Sequence, residues 1–155
     1  MSALIAPPDI EFEPLTEARL DAVMAIETRA YEFPWTRGNF SDSLRAGHHI
    51  VVLRAGETVL GYFVAMKGVD EVHLLNVTVE PARHGQGWGR RLMEALATWA
   101  RSQGAQWLWL EVRVSNDHAQ HLYARQGFQR VGRRKAYYPA SGGQREDAIV
   151  MSLKL

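Results

Sequence analysis

Gly85, Gly87 and Gly89 alternate with Gln86 and Trp88, and after them Leu92, Leu96 and Trp99 fall at helical spacing. Upstream, His73, Leu75, Val77 and Val79 alternate with Leu74, Asn76 and Thr78, a period of two rich in β-branched residues that reads as a strand. Pro81 stops that strand, because it offers no ladder N–H and fixes its own φ. A strand, a glycine-rich turn and a helix start together make an anion site. The first N–H groups of a helix lack internal partners, and glycines let a phosphate come close to the backbone. The expected ligand is a pyrophosphate.

Three glycine loops compete for that role. A Walker loop is excluded, since no Gly-Lys-Ser or Gly-Lys-Thr follows the glycines. A dinucleotide fingerprint needs G-x-G-x-x-G directly after a strand, whereas here the glycines alternate and a Pro-containing turn intervenes. The remaining chain is also too short for the further βαβ units such a fold requires. On the glycines alone, a turn that binds nothing stands level with an anion cradle.

Two further residues could move protons. Glu111 sits inside 106–114, which reads as a central strand apolar on both faces, and it shares a face with Trp107, Trp109 and Arg113. Burying an unpaired charge is costly, so this carboxylate is either paired or useful. A salt bridge to Arg113, an exposed strand face and a general base all fit. Desolvation by the tryptophans would raise its pKa and the arginine would lower it. Tyr123 lies four residues after Ala119 on a helix face turned to the core, which suits a packed tyrosine as well as a general acid. A phenol near pKa ~10 is still protonated at neutral pH and can give its proton away. His118 and His121 stand at i, i+3, but zinc wants further ligands that nothing here supplies, so no metal is expected.

The hexad His84-Gly85-Gln86-Gly87-Trp88-Gly89 resembles the Q/R-x-x-G-x-G/A signature of the GCN5-related N-acetyltransferases, the GNAT superfamily. His84 departs from the usual Gln or Arg, with Arg83 beside it to supply charge; the backbone cradle needs only the glycines and the helix start. More narrowly, LWLEVRVSNDHAQHLYARQGF resembles the second half of the RimI-type ribosomal-protein alanine N-acetyltransferases. Tyr31-Glu32-Phe33-Pro34-Trp35-Thr36, Tyr137-Tyr138-Pro139 and Arg145-Glu146-Asp147-Ala148 belong to the same pattern. The likeness spans nearly all of the chain beyond its first dozen or so residues.

That resemblance implies acetyl-CoA as co-substrate. The backbone of Val77, Thr78 and Val79 would pair with the pantetheine arm, and one of their N–H groups would polarise the thioester carbonyl. Gly85, Gln86, Gly87, Trp88, Gly89 and Arg90 would take the pyrophosphate, and Asn116 would meet the pantetheine or thioester region. Glu111 becomes the proton acceptor and Tyr123 the donor to the departing thiolate. Phe33 and Trp35 in one loop and Tyr137 and Tyr138 in another would wall a peptide groove, where aromatics give contact area with few rotors. The leading expectation is an Nα-acetyltransferase acting by direct transfer on the N-terminal alanine of a small-subunit ribosomal protein. An acetyltransferase for a small amine or a lysine side chain is the rival within enzymes. A non-catalytic acetyl-CoA-binding regulatory module is the rival outside them, and Glu111 and Tyr123 argue against it.

Composition bounds the rest. A chain of 155 residues is one domain with room for a real core, expected at 9–155 behind a flexible leader at 1–8. There is no cysteine, and the N-terminus shows neither a basic flank nor a continuous apolar stretch, so a cytoplasmic protein without disulfide, signal peptide or membrane span is expected. A net charge of +1 gives no reason to expect nucleic-acid binding, and Arg130, Arg133, Arg134 and Lys135 read as a solvated cluster. A monomer is expected.

The positioning elements follow the punctuation. Ile10–Pro14 reads as a strand, and Thr16 caps a helix whose Leu20, Val23 and Met24 face the core. Thr36 caps a second helix carrying Phe40 and Leu44 and closed by Gly47. Strands at 49–54 and 59–67 flank Ala55-Gly56-Glu57. The phosphate strand and its helix, ended by Gly104, come next; in them Trp88 reads as a loop flank and Trp99 as a core residue. A strand at 106–114 precedes a helix capped by Asn116 or Ser115, packing Ala119 and Leu122 and ending at Gly127. Strands at 129–137 and 146–155, joined by Ala140-Ser141-Gly142-Gly143, complete an α/β (α+β) fold with a mixed, mostly antiparallel central sheet and helices on both faces.

Overall fold

Short runs of β-branched and aromatic residues, each cut by glycine or proline, give this chain more strand than helix. A computed structural model describes residues 9–155; the leader expected at 1–8 lies outside the described residues. Its strands are β1 (Ile10–Pro14), β2 (His49–Ala55), β3 (Thr58–Lys67), β4 (Glu71–Val79), β5 (Trp107–Arg113), β6 (Gln129–Pro139) and β7 (Arg145–Lys154). Its helices are α1 (Glu17–Ala30), α2 (Arg37–Arg45), α3 (Trp88–Ser102) and α4 (Asp117–Arg125). The strands form one seven-stranded sheet in the order β1-β2-β3-β4-β5-β7-β6. Among the described residues no helix is long and apolar enough to cross a membrane. The fold divides into two compact units, residues 9–65 with Asn76–Leu96, and Met66–Leu75 with Ala97–Leu155.

In the first unit β1, β2 and β3 run antiparallel, with Phe12 opposite Leu53 and Val51 opposite Phe63. Val23, Phe40, Leu53, Leu60, Tyr62, Leu92 and Leu96 are fully buried. Each such side chain contributes about 1.5–3 kcal/mol over leaving it in water. Phe40 meets Tyr62 edge-on at 5.9 Å. Thr36 makes a reciprocal cap, its hydroxyl accepting from the Asn39 N–H while Asn39 accepts from the Thr36 N–H. Gly61 admits β4 closely, since a Cβ there would stand 2.6 Å from the Thr78 carbonyl oxygen. The buried stripe of α1 differs from the expected one: Met24 is half-buried, and Ile26 and Glu27 lie inside. In α2, Leu44 is half-buried while Ser43 turns inward.

In the second unit β5 pairs antiparallel with β7 and β7 with β6. Glu71–Leu74 of β4 run parallel to residues 107–110 of β5, and β4 continues beyond that last rung to Val79. Leu108, Leu110 and Val112 face inward beside Ile149, Met151 and Phe128. The expected two-sided apolar strand is therefore one-sided. The other face of β5 carries Trp107, which is 43% exposed, with Trp109, Glu111 and Arg113. The tryptophans imitate a core run in sequence, but they line the face that bears the charged groups. Leu122 of α4, expected to pack, is exposed. Trp88 and Trp99 also differ from expectation. The helix α3 begins at Trp88, which turns inward and is buried, and Trp99 is half-buried.

Candidate active site

In the first unit, the turn between β4 and α3 is held by backbone conformation rather than by crowding. Gly85 and Gly87 have φ of +78° and +87°, yet a Cβ on either would meet nothing within 4 Å. Only glycine enters that left-handed region without strain. The first α-helical hydrogen bond runs from the Arg91 N–H to the Gly87 carbonyl, at 3.2 Å. The N–H groups of Trp88, Gly89 and Arg90 precede it and have no carbonyl one turn back, so they are open to an anion. The Trp88 indole N–H donates to Gln86 Oε1 at 2.9 Å and fixes that side chain beside the turn. Arg90 forms an exposed i, i+4 pair with Glu94 at 3.0 Å. His84 bonds through Nε2 to the Val79 carbonyl at 3.0 Å and so ties the turn to the end of β4. Arg83 lines a shallow cleft with Asp9, Glu11 and Arg54.

Beneath the same end of β4 lies a polar network that the sequence reading missed. Glu27 is 1% exposed, and its carboxylate accepts from the Tyr62 hydroxyl (2.6 Å), the Asn76 amide (3.1 Å) and the Trp35 backbone N–H (2.9 Å). Because Asn76 gives its NH₂ to Glu27, its Oδ1 faces Thr78, whose hydroxyl donates to it at 2.7 Å. The Thr78 proton is thereby committed. Tyr31 is then the donor, its single proton shared between Thr78 Oγ1 at 2.8 Å and the Val77 carbonyl at 3.0 Å. Burial, and then the Glu27 charge, push the Tyr62 phenol far above its ordinary range. The network anchors both the Val77–Thr78 backbone and the loop at Trp35. A signal was present in sequence: Leu20, Val23 and Glu27 share one helical stripe, and a charge on an apolar stripe needs partners. Trp35 also leans on Phe40 with ring centroids 5.0 Å apart, while Phe33 is 38% exposed.

In the second unit the Glu111 side chain is only 4% exposed. Its Oε2 lies 2.5 Å from His73 Nε2, and the His73 ring stacks on Trp109 with centroids 3.6 Å apart. Arg134 Nε is 3.5 Å from Oε1, an ion-pair distance; no donor reaches Oε1 with good hydrogen-bond geometry, although the Tyr137 hydroxyl also faces this carboxylate. The salt bridge to Arg113, one of the pairings the sequence allowed, is not among the ion pairs of Glu111. Arg113 instead binds Glu146 at 3.0 Å and the Pro139 carbonyl at 2.9 Å, with its guanidinium over the Tyr138 ring. Hydrogen bonds from Ser115 and from Arg113 hold the Glu146 carboxyl below its usual range. Tyr137 and Tyr138 meet edge to face at 4.9 Å. Burial first, and the Glu111 charge second, push both phenols up. They sit on a kink in β6, where Ala136 takes a φ of +51°. Asp147 grips the Ala136 N–H at 2.8 Å and Arg133 at 2.7 Å, while Arg145 donates to the carbonyls of Ala136 and Tyr137. The Arg-Glu-Asp run thus shapes the tyrosine segment, which lies in strand β6 rather than in the loop expected. At the start of α4, Asn116 Oδ1 accepts from the Ala119 N–H at 3.1 Å, so the cap falls on Asn116 rather than Ser115. Tyr123 lies on α4 with its ring 5.7 Å from Phe128.

A glycine turn opening a helix, together with a buried carboxylate among aromatics, is a combination that comparison with known proteins can decide. Residues 20–128 match the model of the Acetyltransferase (GNAT) family. The chain belongs to that family. It is 37% identical over 136 residues to the [ribosomal protein bS18]-alanine N-acetyltransferase of Escherichia coli strain K12, covering 88% of this chain and 91% of that protein. To the protein of the same description in Haemophilus ducreyi it is 34% identical, over 92% of this chain and 99% of the other. The crystal structure of the ribosomal-protein-S18-alanine N-acetyltransferase from Escherichia coli superposes with a TM-score of 0.85 at 35% identity, covering 94% of this chain and 93% of that one.

GNAT acetyltransferases use acetyl-CoA, and the turn fits the phosphate part of that molecule: two left-handed glycines leave open space in front of unpaired helix N–H groups. Among the described residues no group of three or more metal-ligating side chains is found. We expect Gly87→Val to weaken acetyl-CoA binding by roughly tenfold or more, since a β-branched residue resists positive φ and its Cβ enters the space the glycine leaves open. Titration calorimetry on the folded variant checks this; unchanged affinity would remove the turn from the binding site. His84→Ala should change the affinity far less.

Proposed function

We propose that this acetyltransferase moves the acetyl group of acetyl-CoA directly to the α-amine of an N-terminal alanine on a small-subunit ribosomal protein of the S18 kind, in the cytoplasm. The observation that carries the chemistry is the buried Glu111 carboxylate with one oxygen that accepts no well-aligned hydrogen bond. A native structure rarely leaves a buried acceptor unused, and a base needs such an atom for an incoming amine proton. The choice of acceptor is supported by the near full-length similarity to enzymes named for that alanine.

Acetyl-CoA supplies the acetyl group as a thioester, whose carbon–sulfur bond breaks as the carbon–nitrogen bond forms. The chain's part is positioning and proton transfer. The Trp88, Gly89 and Arg90 N–H groups and the Gly85–Gly87 turn would hold the pyrophosphate, with Gln86 beside them. The backbone of Val77, Thr78 and Val79, beyond the last rung of the β4–β5 ladder, would align the pantetheine arm, and one N–H there would polarise the carbonyl. Asn116, whose oxygen is spent on its cap, would offer its NH₂ to the pantetheine or thioester region. Glu111 would accept the amine proton at Oε1, and the Tyr123 hydroxyl would protonate the leaving thiolate. Phe33, Trp35, Tyr137 and Tyr138 would contact the acceptor peptide.

The α-amine suits such a base. With pKa values near 7.7–8.0 against about 10.4 for lysine, it is unprotonated roughly several hundred times more often at neutral pH. Short peptides beginning with alanine should therefore be acetylated on the first residue, as read by mass spectrometry. The same peptides with a blocked α-amine and an added lysine should react poorly. Preferential ε-acetylation, or free polyamines turning over faster than any peptide, would overturn the N-terminal reading and leave the acetyltransferase standing.

A further inference from the structure

In the sequence His73 is one position of a strand period; in the structure its Nε2 meets Glu111. Strand β4 presents two faces with different contents. Val72, Leu74, Asn76 and Thr78 point into buried surroundings, whereas His73 shares its phase with Leu75, Val77 and Val79. In the parallel ladder His73 stands opposite Trp109, and the two rings lie flat on each other with an interplanar angle of 8°. Glu111 follows Trp109 by two positions on β5, on the same face. The stacked Trp109 therefore fixes the plane of the imidazole and aims Nε2 at Oε2.

A carboxylate only accepts hydrogen bonds, so the 2.5 Å contact assigns the Nε2 proton to histidine while Glu111 is ionised. His73 itself is 8% exposed, so the contact is shielded from competing water. The other charged and titratable groups around the pair are Arg134, Tyr137 and Tyr138 of β6, Tyr123 of α4 beside Tyr138, and Arg113 of β5 with Glu146 of β7, which neutralise each other. Of these, Arg134 is the cation at Oε1, and its side chain is 48% exposed and only at ion-pair distance. The two carboxylate oxygens are thus unlike. Oε2 is held by a fixed donor, whereas Oε1 has Arg134 at ion-pair distance and no well-aligned hydrogen bond.

We propose that His73 is a positioning residue for the acetyl-transfer reaction: by donating from Nε2 to Oε2 it locks the Glu111 carboxylate and leaves Oε1 as the single atom that takes the proton from the acceptor amine. This rests on Glu111 being the base. The ammonium N–H bond breaks, its proton goes to Oε1, and the electron pair stays on nitrogen for attack on the thioester carbon. The resulting carboxylic acid keeps the His73 hydrogen bond through Oε2, its carbonyl oxygen, so the imidazole holds the group in both protonation states. The proton on Oε1 returns to solvent before the next turnover. Histidine on β4 suits this role because its reach matches the strand spacing of the parallel pair, where a shorter polar side chain opposite Trp109 would fall short.

Two substitutions separate positioning from packing. His73→Leu keeps an apolar surface against Trp109 and removes the donor; His73→Gln gives up some of that surface but places an amide N–H near the position of Nε2. If His73 only packs, leucine should serve at least as well as glutamine. If it positions Glu111, leucine should lower kcat about 10- to 100-fold, the scale of a misplaced reacting group, with KM for acetyl-CoA unchanged. Glutamine should then recover most of the loss. Assays would use the full chain with an alanine-initiated peptide, beside Glu111→Gln. His73→Asn, whose amide stops short of Oε2, replaces His73→Leu if that variant does not fold. An inactive Glu111→Gln with a fully active His73→Leu would overturn the proposal alone. Full activity of Glu111→Gln would overturn both the base assignment and the proposal resting on it.

Discussion

Glu111→Gln is expected to turn over roughly 10²–10⁴ times more slowly than the native enzyme, the usual worth of a positioned acid or base, while binding acetyl-CoA normally. The substitution is close to isosteric, and the amide oxygen of Gln can still accept from His73 Nε2. Losing the negative charge leaves Arg134 without its partner, but Arg134 is half exposed and water can solvate it. Folding stability should therefore change little, and the loss should appear in kcat rather than in KM for acetyl-CoA. The same variant carries an internal control. The Glu111 charge helps to hold the Tyr137 and Tyr138 phenols up, so its removal should let them ionise at lower pH. Ultraviolet titration of tyrosinate can read that shift in a protein that no longer turns over. If turnover stays near the native level across the pH range, Glu111 is structural and the base lies elsewhere.

Tyr123→Phe should cost a comparable factor, about 10² or more in kcat, because only the hydroxyl is removed. The phenyl ring retains its contact with Phe128, and the backbone carbonyl of residue 123 still closes α4 by accepting from the N–H groups of Gln126 and Phe128. Stability should be nearly native, so a thermal melt separates a chemical loss from an unfolded variant. Tyr137 and Tyr138 are poor substitutes for this hydroxyl. Burial and the neighbouring carboxylate make their protons harder to lose, and a phenol that resists ionising is a weak donor to a thiolate. Native kcat in Tyr123→Phe would assign the thiol proton to another donor.

The sheet, its helices and their boundaries were largely legible from periodicity and punctuation. β1 spans the residues expected, and Thr36, Asn116, Gly47 and Gly104 stand at helix ends as their side chains or backbone freedom require. Errors arose where residue type misleads about burial. Trp107 and Trp109 made β5 look apolar on both faces, although a large ring can stack over polar neighbours and remain partly wet. Trp88 looked like a loop residue because it stands between glycines, but the helix begins there and draws it inward. Met24 and Leu122 were placed on the core by spacing alone, and neighbouring positions took the interior instead.

The sequence by itself determined that this chain has a glycine turn opening a helix, a carboxylate within an apolar strand and a tyrosine on the following helix, in the order of an acetyltransferase. Those signals are local: backbone freedom, strand period and helix capping each depend on a few adjacent residues. What only the tertiary structure decided is which groups meet. Glu111 looked ready to pair with Arg113, but alternate residues on a strand are roughly 6.5 Å apart along it, and each found a partner on another strand. Glu111 met His73, 38 positions away, and Arg113 met Glu146, 33 positions away. Glu27 met Asn76 across 49 positions. Such pairs are set by strand order and register, which place β4 and β7 on either side of β5, and no spacing along the chain encodes them.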